Sequence, residues 1–564
     1  MTPPIPHVAM AGLIAVVMTF LTTNAGAAPP GAMPKDRSEL RRMREAAAQR
    51  QRRVIYNDDG DDALVANGLG EPGLSTRAAF LAGRIAGIEG TQCDAVFYCA
   101  HQCFGKCLYN TKVGDVYSRT DHVGHEVGFT KNVIPPLIQE GTDPLEVVVD
   151  HCHAHGIEAF WSMRVNDTHD AGSSWASPHQ FSQFKKDHPD CLMGTKEKRP
   201  RHGGWTAVDY TLPEVRDFAF RIVEEVCRNY DIDGIEFDFF RHPVLFKRHA
   251  WGEPVTQTEL DMMTELIRRV RAMTEDVALE QGRRPILVAV RAPDSLEVCR
   301  YIGLDLERWL KEDLVDILVS SGYFRLNPWE ASVDLGRKYG APVYACLSET
   351  RIRDQESAAP RRTLEAYRGR AANAWHSGVD GIYLFNYFHP ESALWRELGG
   401  LDTLAPLDKV YTTATRGLGN LRAYVADAPR FLNRPILNPD HPRRLEPGAV
   451  ASVGLLVGEA LAREPAPRVM LQLRIKGLPS ADAVSVAFNG TALGAGAKSA
   501  DWLDYAVDAD RVNHGVNEIA VTLARGVQAT PVWDDLLLWV RPAPDTQQQS
   551  KPEPVSGRPE EEKP

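Results

Sequence analysis

Tyr230-Asp231-Ile232-Asp233-Gly234-Ile235-Glu236-Phe237-Asp238-Phe239-Phe240-Arg241-His242-Pro243 is the stretch whose reading decides the fold. Ile235, Phe237 and Phe239 alternate with Glu236 and Asp238, so a strand here puts three apolar side chains on one face and both carboxylates on the other. Burying unpaired charge is costly. In a parallel (β/α)8 barrel, outward side chains pack under helices, inward ones fill the interior, and chemistry gathers at the carboxyl ends of the strands. Asp238, near that end, then points into the mouth, with Glu236 one pleat deeper. The alternative is an internal ion pair, for which Arg164 and Arg291 on neighbouring strands are the available partners.

The same pattern of strand then helix extends to both sides. Strands are expected at Val54-Ile55-Tyr56, Asp94 to Cys99, Ile157 to Arg164, Gly234 to Phe239, Pro285 to Arg291, Val315 to Ser320, Pro342 to Leu347 and Gly381 to Asn386. Helical periodicity lies between them, as in Thr76 to Ile88, Pro144 to His155 and Pro213 to Asn229. Eight alternations make an α/β chain with a (β/α)8 TIM barrel over residues 53–402. A doubly wound sheet is disfavoured because no phosphate-binding glycine fingerprint follows the first strand. After a connecting region at 403–445, short alternating runs separated by Gly, Asn and Asp turns predict a β-sandwich over 446–541. Residues 28–52 read as a tether or short surface helix, and 542–564 as a disordered tail. The apolar run Val8 to Leu21, followed by Ala25-Gly26-Ala27, reads as an export signal over 1–27, giving a secreted or periplasmic protein without stable membrane insertion.

A net charge of −11 argues against nucleic acid as a partner. Cys99, Cys103 and Cys107, with Cys152 in His151-Cys152-His153-Ala154-His155, match no strong zinc spacing and read as disulfides or buried thiols. Asn57-Asp58-Asp59-Gly60-Asp61-Asp62 is oxygen-rich: Asp58, Asp59 and Asp61 could hold Ca²⁺ or bind sugar hydroxyls, or form a solvated turn bent at Gly60. The long loop 165–212 holds Asn166, Asp167, His169, Trp175, His179, His202 and Trp205, types that meet a sugar ring by stacking and hydrogen bonding.

Residues 53 to 400 resemble the glycosyl hydrolase-like 10 family of secreted bacterial proteins. The resemblance is carried by His155-Gly156-Ile157-Glu158-Ala159, Leu212-Pro213-Glu214-Val215-Arg216-Asp217, Tyr230 to Asp238, and Trp309 to Ile317. It implies a barrel acting on glycosidic bonds, with a key carboxylate at Asp238. The chitinase-type pattern D-G-x-D-x-D-x-E is followed until its last position, where Phe240 stands in place of Glu. A glycosidase uses two carboxyl groups. With Asp238 as the first, the second is sought at Glu349, straight out of the seventh strand, then Asp294, then Asp167. Arg164, Asn166, Asp167, Trp205, Glu236, Arg241, His242, Arg291, Tyr323 and Asn386 are the expected substrate contacts. The expectation is a glycoside hydrolase with a carbohydrate substrate; a glycan-binding protein without turnover and a metal-dependent hydrolase on the Asp58 cluster are the alternatives.

Overall fold

The computed structural model describes residues 33–66, 73–117, 131–172 and 180–542; the expected export signal, Trp175, His179 and nearly all of the expected tail lie outside them. Eight parallel strands form the barrel: β1 Val54–Asp58, β2 Cys93–Gln102, β3 Glu158–Arg164, β4 Gly234–Asp238, β5 Leu287–Ala292, β6 Ile317–Ser320, β7 Val343–Leu347 and β8 Gly381–Phe385. Each pairs with the next, and β1 pairs with both β8 and β2, so the sheet closes. Every residue of β1, β3, β4, β5, β6, β7 and β8 is buried, as strands covered on both faces require.

The helix Pro213–Asn229 shows why the outer layer forms. Pro213 opens it, and Val215, Ala219, Ile222, Val223 and Val226 make one buried stripe against the sheet. The helix Gln257–Glu280 starts with a reciprocal cap between Thr256 and Glu259. Inside the barrel, Gly234, Glu236 and Asp238 form an inward column. Gly234 must lack a side chain, because a Cβ there would lie 2.2 Å from the Phe160 ring. Phe160 in turn stacks on Phe97 at 4.3 Å between centroids, and Tyr383 meets Phe97 edge-on. This aromatic floor supports the charged layer above it. On the outside, Phe239 packs against Trp309.

Two antiparallel sheets follow, giving the expected sandwich. One joins Lys409–Tyr411, Val532–Arg541, Arg468–Lys476 and Trp502–Val507; the other joins Val450–Val457, Gly515–Leu523 and Val484–Phe488. The connecting region is therefore not a free linker, since Lys409–Tyr411 pairs with Lys409↔Val540 register on the sandwich edge. Of the two alternatives for residues 28–52, the helix is the one seen ahead of Arg53. It spans Arg37–Ala48; its Leu40 is buried and its Arg44 reaches Asp316 at 2.8 Å. Arg44 is its buried charge, paired with Asp313 and Asp316, while Arg37, Arg41 and Glu45 stay exposed.

Barrel and sandwich are joined through buried ion pairs. Arg361 donates to both oxygens of Asp535 at 2.9 and 2.5 Å, and Arg474 of the sandwich reaches Asp534 and Asp354, each at 2.8 Å. All nine cysteines are free and buried, so the expected choice between disulfides and thiols falls to thiols. No described helix is long and apolar enough to cross a membrane.

Removing one member of a buried pair strands the other charge, at a cost of about 3–5 kcal/mol. Asp535→Ala is expected to lower stability by that order, read as a lower urea midpoint. An unchanged midpoint would show that the seam does not depend on this pair.

Candidate active site at the barrel mouth

Register places Arg164, Asp238 and Arg291 in one row across β3, β4 and β5. Of the two possible partners, Arg291 takes Asp238: Nη2 donates to Oδ2 at 2.5 Å and Nε to Oδ1 at 3.1 Å. Oδ1 also accepts the backbone N–H groups of Phe240 and Arg241 at 2.9 and 3.0 Å. Four donors occupy a carboxylate that has about four lone-pair sites. Asp238 is 3% exposed, with three of these donors on Oδ1 and one on Oδ2, and it fixes the turn that launches Arg241 and His242. The Arg291 guanidinium also lies 4.1 Å from the Phe385 ring centroid.

Beneath this row Glu236 accepts the Ser162 hydroxyl at 2.5 Å and the Tyr383 hydroxyl at 2.9 Å. Burial, and then the neighbouring Asp238 charge, push its carboxyl up to about 7.

Several expected residues are used elsewhere. Glu349 does not join Asp238: its side chain is 65% exposed and pairs with Arg362 at 3.2 Å, because the chain turns outward on leaving β7. Asp294 is a loop brace, accepting the N–H groups of Leu326 and Asn327 at 2.9 and 2.8 Å, while the nearby Arg291 faces Asp238. Asn166 spends both amide ends on backbone, accepting from Val208 and donating to Val208 and Val244. Trp205 packs on Phe181 and the core. Tyr323 is buried with its hydroxyl on Arg241. Asn386 donates to Asp59 at 3.0 Å and leaves its buried Oδ1 without a partner.

The row's third member, Arg164, faces a different group of acids. Its Nη1 lies 3.3 Å from Asp167, its Nη2 3.9 Å from Asp59, and its charge also acts on Asp61. Asp167 is buried, which favours the neutral acid, yet His169, His242 and Arg164 outweigh burial and hold it well below the usual carboxylate range. His169 Nδ1 lies 2.5 Å from Asp167 Oδ1, and the Arg241 guanidinium meets the same ring at Nε2, which assigns the proton to Nδ1. His242 Nδ1 lies 3.2 Å from that oxygen and takes the Thr168 N–H at 3.1 Å. Burial pushes His242 down to about 4, so it is neutral at pH 7.

Asp61 is the opposite case. Gly60 turns the chain in the left-handed region, where a Cβ would lie 2.3 Å from the Cys99 carbonyl oxygen, and so presses the aspartates onto β2. Asp61 accepts Gln102 at 2.8 Å, and burial followed by the Asp59 charge raises it to about 7. The Ca²⁺ arrangement expected at Asp58, Asp59 and Asp61 is not formed. Asp58 and Asp59 each turn an oxygen to Arg84 Nη1, at 3.3 and 2.6 Å, and Asp58 also accepts the Tyr56 hydroxyl and the Gly60 N–H, so protein donors hold these oxygens. Asp167, His169 and His242 do bring one ligand atom each within 4.8 Å of one another; Arg241 meets His169 at Nε2 and the Thr168 N–H meets His242 at Nδ1.

Left-handed non-glycine residues mark this rim. Cys103 and Phe104 follow β2, His242 follows β4, Ser321 follows β6 and Asn386 follows β8. Such conformations persist where surrounding structure over-determines them, and they cluster at active sites.

A closed (β/α)8 barrel with polar groups gathered at the strand carboxyl ends defines the class. Residues 87–252 match the family described as Glycosyl hydrolase-like 10, in agreement with the resemblance carried by the motifs. Glycosyl hydrolase YngK of Bacillus subtilis (strain 168) is 27% identical over 106 residues, 18% of this chain and 19% of that protein. Glycosyl hydrolase DigH of Escherichia coli (strain K12) is 22% identical over 240 residues, 36% of this chain and 51% of that one. The match thus spans about half the length of the longer-matching relative. Among solved structures, the PgaB (BpsB) glycoside hydrolase domain from Bordetella bronchiseptica aligns with 62% of this chain and 99% of its own at 12% identity, TM-score 0.38.

Glu236 gives this layer a measurable pH signature. Below about pH 4 folded and unfolded states both carry its proton. Between there and about 7 only the folded state does, so the folded state binds more protons and stability falls as pH rises. Glu236→Gln is expected to flatten that slope and to raise stability at pH 7 by on the order of 3 kcal/mol, measured by denaturant titration at several pH values. An unchanged slope would remove the raised carboxyl from the account.

Proposed function

We propose that this chain hydrolyses glycosidic bonds in a poly- or oligosaccharide at the barrel mouth, with Asp61 as the proton donor and Asp167 as the ionised partner. The observation that carries this reading is a pair of carboxyl groups, both within reach of the Arg164 charge, whose surroundings drive them to opposite protonation states. Two titratable groups pushed apart in this way divide acid from base or nucleophile. Asp61, holding its proton near neutrality, protonates the leaving oxygen; Asp167, buried and kept charged, stabilises the positive charge developing at the anomeric carbon or takes the proton of an attacking water. Arg164 steadies the charge between them, and His169 fixes Asp167 in place. Asp238, Arg291 and Glu236 form the scaffold that aims this rim. The glycosyl hydrolase names of the relatives and the family match support the class. The segment Val8 to Ala27 supports action outside the cytoplasm.

One observation favours a second reading, a glycan-binding protein without turnover: Asp238, where the family resemblance places the key carboxylate, is locked by Arg291. Reducing-end release from a polysaccharide panel separates the two. Hydrolysis is expected to fall as pH rises through about 7, because Asp61 then loses its proton, and to persist into mild acid because Asp167 stays charged. Asp61→Asn and Asp167→Asn are each expected to lower kcat by about 10²–10⁴-fold, the scale of positioned acid–base groups, with little change in KM. Saccharide binding without release, or full activity in both variants, would contradict the assignment.

A further inference from the structure

Beside the mouth, where the ends of β6 and β7 meet the segment 412–416, lies a cavity of about 70 Å³. Four arginines line it: Arg325 and Arg370 from the barrel, Arg416 and Arg434 from the connecting region that folds back onto it. Buried arginines elsewhere meet a carboxylate, as Arg291 meets Asp238 and Arg361 meets Asp535. These four form no ion pair among the described residues. Arg370 donates to the Ser348 carbonyl and Arg416 to the Ser348 hydroxyl, each at 2.7 Å, and Arg434 donates to the Thr413 carbonyl. Arg416 is 8% exposed, and its Nη1 is buried without a partner, as is Arg370 Nη2.

Four guanidiniums without a paired carboxylate, in a chain of net charge −11, make a local field opposite to that of the whole molecule. Burial, then the nearby Arg351, pushes Arg416 down to about 9, so the proton on this guanidinium is held less firmly for want of an anion. The acids whose charge reaches these arginines are engaged elsewhere: Asp294 acts on Arg325 and Arg434 with its oxygens taken by the Leu326 and Asn327 N–H groups, Glu330 acts on Arg325, and Glu349, paired with Arg362, acts on Arg370. Tyr323 stands between the cavity's Arg416 and the rim's Arg241, its ring 5.2 Å from each guanidinium. Planar guanidinium forks suit planar carboxylates.

We propose that this cavity receives the carboxylate of an acidic sugar, so that the saccharide held at the mouth is anionic. The proposal rests on the reading of the mouth as a saccharide site and names the class of saccharide. The unpartnered Arg416 and Arg370 donors close on the carboxylate oxygens, while the sugar ring stays outside, toward Tyr323.

Titration calorimetry of the full chain with D-glucuronate, D-glucose and inorganic phosphate tests this. Glucuronate is expected to bind saturably and at least 10-fold more tightly than glucose. Arg416→Gln and Arg370→Gln are each expected to weaken glucuronate at least 10-fold, with circular dichroism reporting the fold; if one of them unfolds, the other decides. Arg337→Gln, on an exposed helix face, should leave binding unchanged. Glucuronate binding no tighter than that of glucose, affinity unaltered in a folded arginine variant, or phosphate binding without glucuronate binding would each overturn the proposal. Arginine-dependent glucuronate binding in a protein that cuts no polysaccharide would sink the hydrolase reading and leave this one standing. Hydrolysis of a neutral glycan with no glucuronate binding would do the reverse.

Discussion

A guanidinium inside a closed barrel is stable only where a carboxylate meets it, and the Arg291–Asp238 pair is the point from which the mouth is built. Desolvating both ions is expensive, and only good geometry with every remaining site satisfied offsets it. Here both oxygens of Asp238 face Arg291, and Oδ1 also takes the Phe240 and Arg241 N–H groups. Those two backbone bonds fix the turn after β4. The turn aims Arg241 at Tyr323 and at the His169 ring, which in turn holds Asp167. The same negative charge helps keep the proton on Glu236 below.

Charge is distributed unevenly through the rest of the molecule, and the unevenness separates structure from site. Arg361 with Asp535, and Arg474 with Asp534, are complete pairs that join barrel to sandwich. Asp61 and Asp167 lie in surroundings that pull their protonation apart, and the arginines around Ser348 lack a paired carboxylate. Complete pairs fix geometry; incomplete ones retain free energy that a ligand can release on binding.

The fold was legible because it depends on patterns that repeat along the chain. Alternation of Ile235, Phe237 and Phe239 with Glu236 and Asp238 placed the column correctly, and eight such strands with helices between them imply closure. The site was legible only in part. Whether Asp238 turns to Arg164 or Arg291 is a matter of side-chain direction that strand periodicity does not encode. Glu349 leaves β7 as a catalytic acid would, but the outward bend toward Arg362 depends on packing far away in sequence. Asp61 reads as one more acid in an oxygen-rich turn; its raised carboxyl comes from burial against β2 and from Asp59. Arg416 and Arg434 lie in a proline-rich stretch that looks like a connector, and nothing local to them announces a return to the barrel.

The central claim is that Asp61 and Asp167 hold opposite protonation states at one mouth. Carboxyl-carbon NMR on aspartate-labelled protein, with the two resonances assigned through their Asn variants, measures this directly. The account requires Asp61 to titrate near 7 while Asp167 remains ionised to well below the usual aspartate range. If both titrated together near the unperturbed value of about 4, the acid and its partner would not be divided, and the proposed chemistry would have no basis.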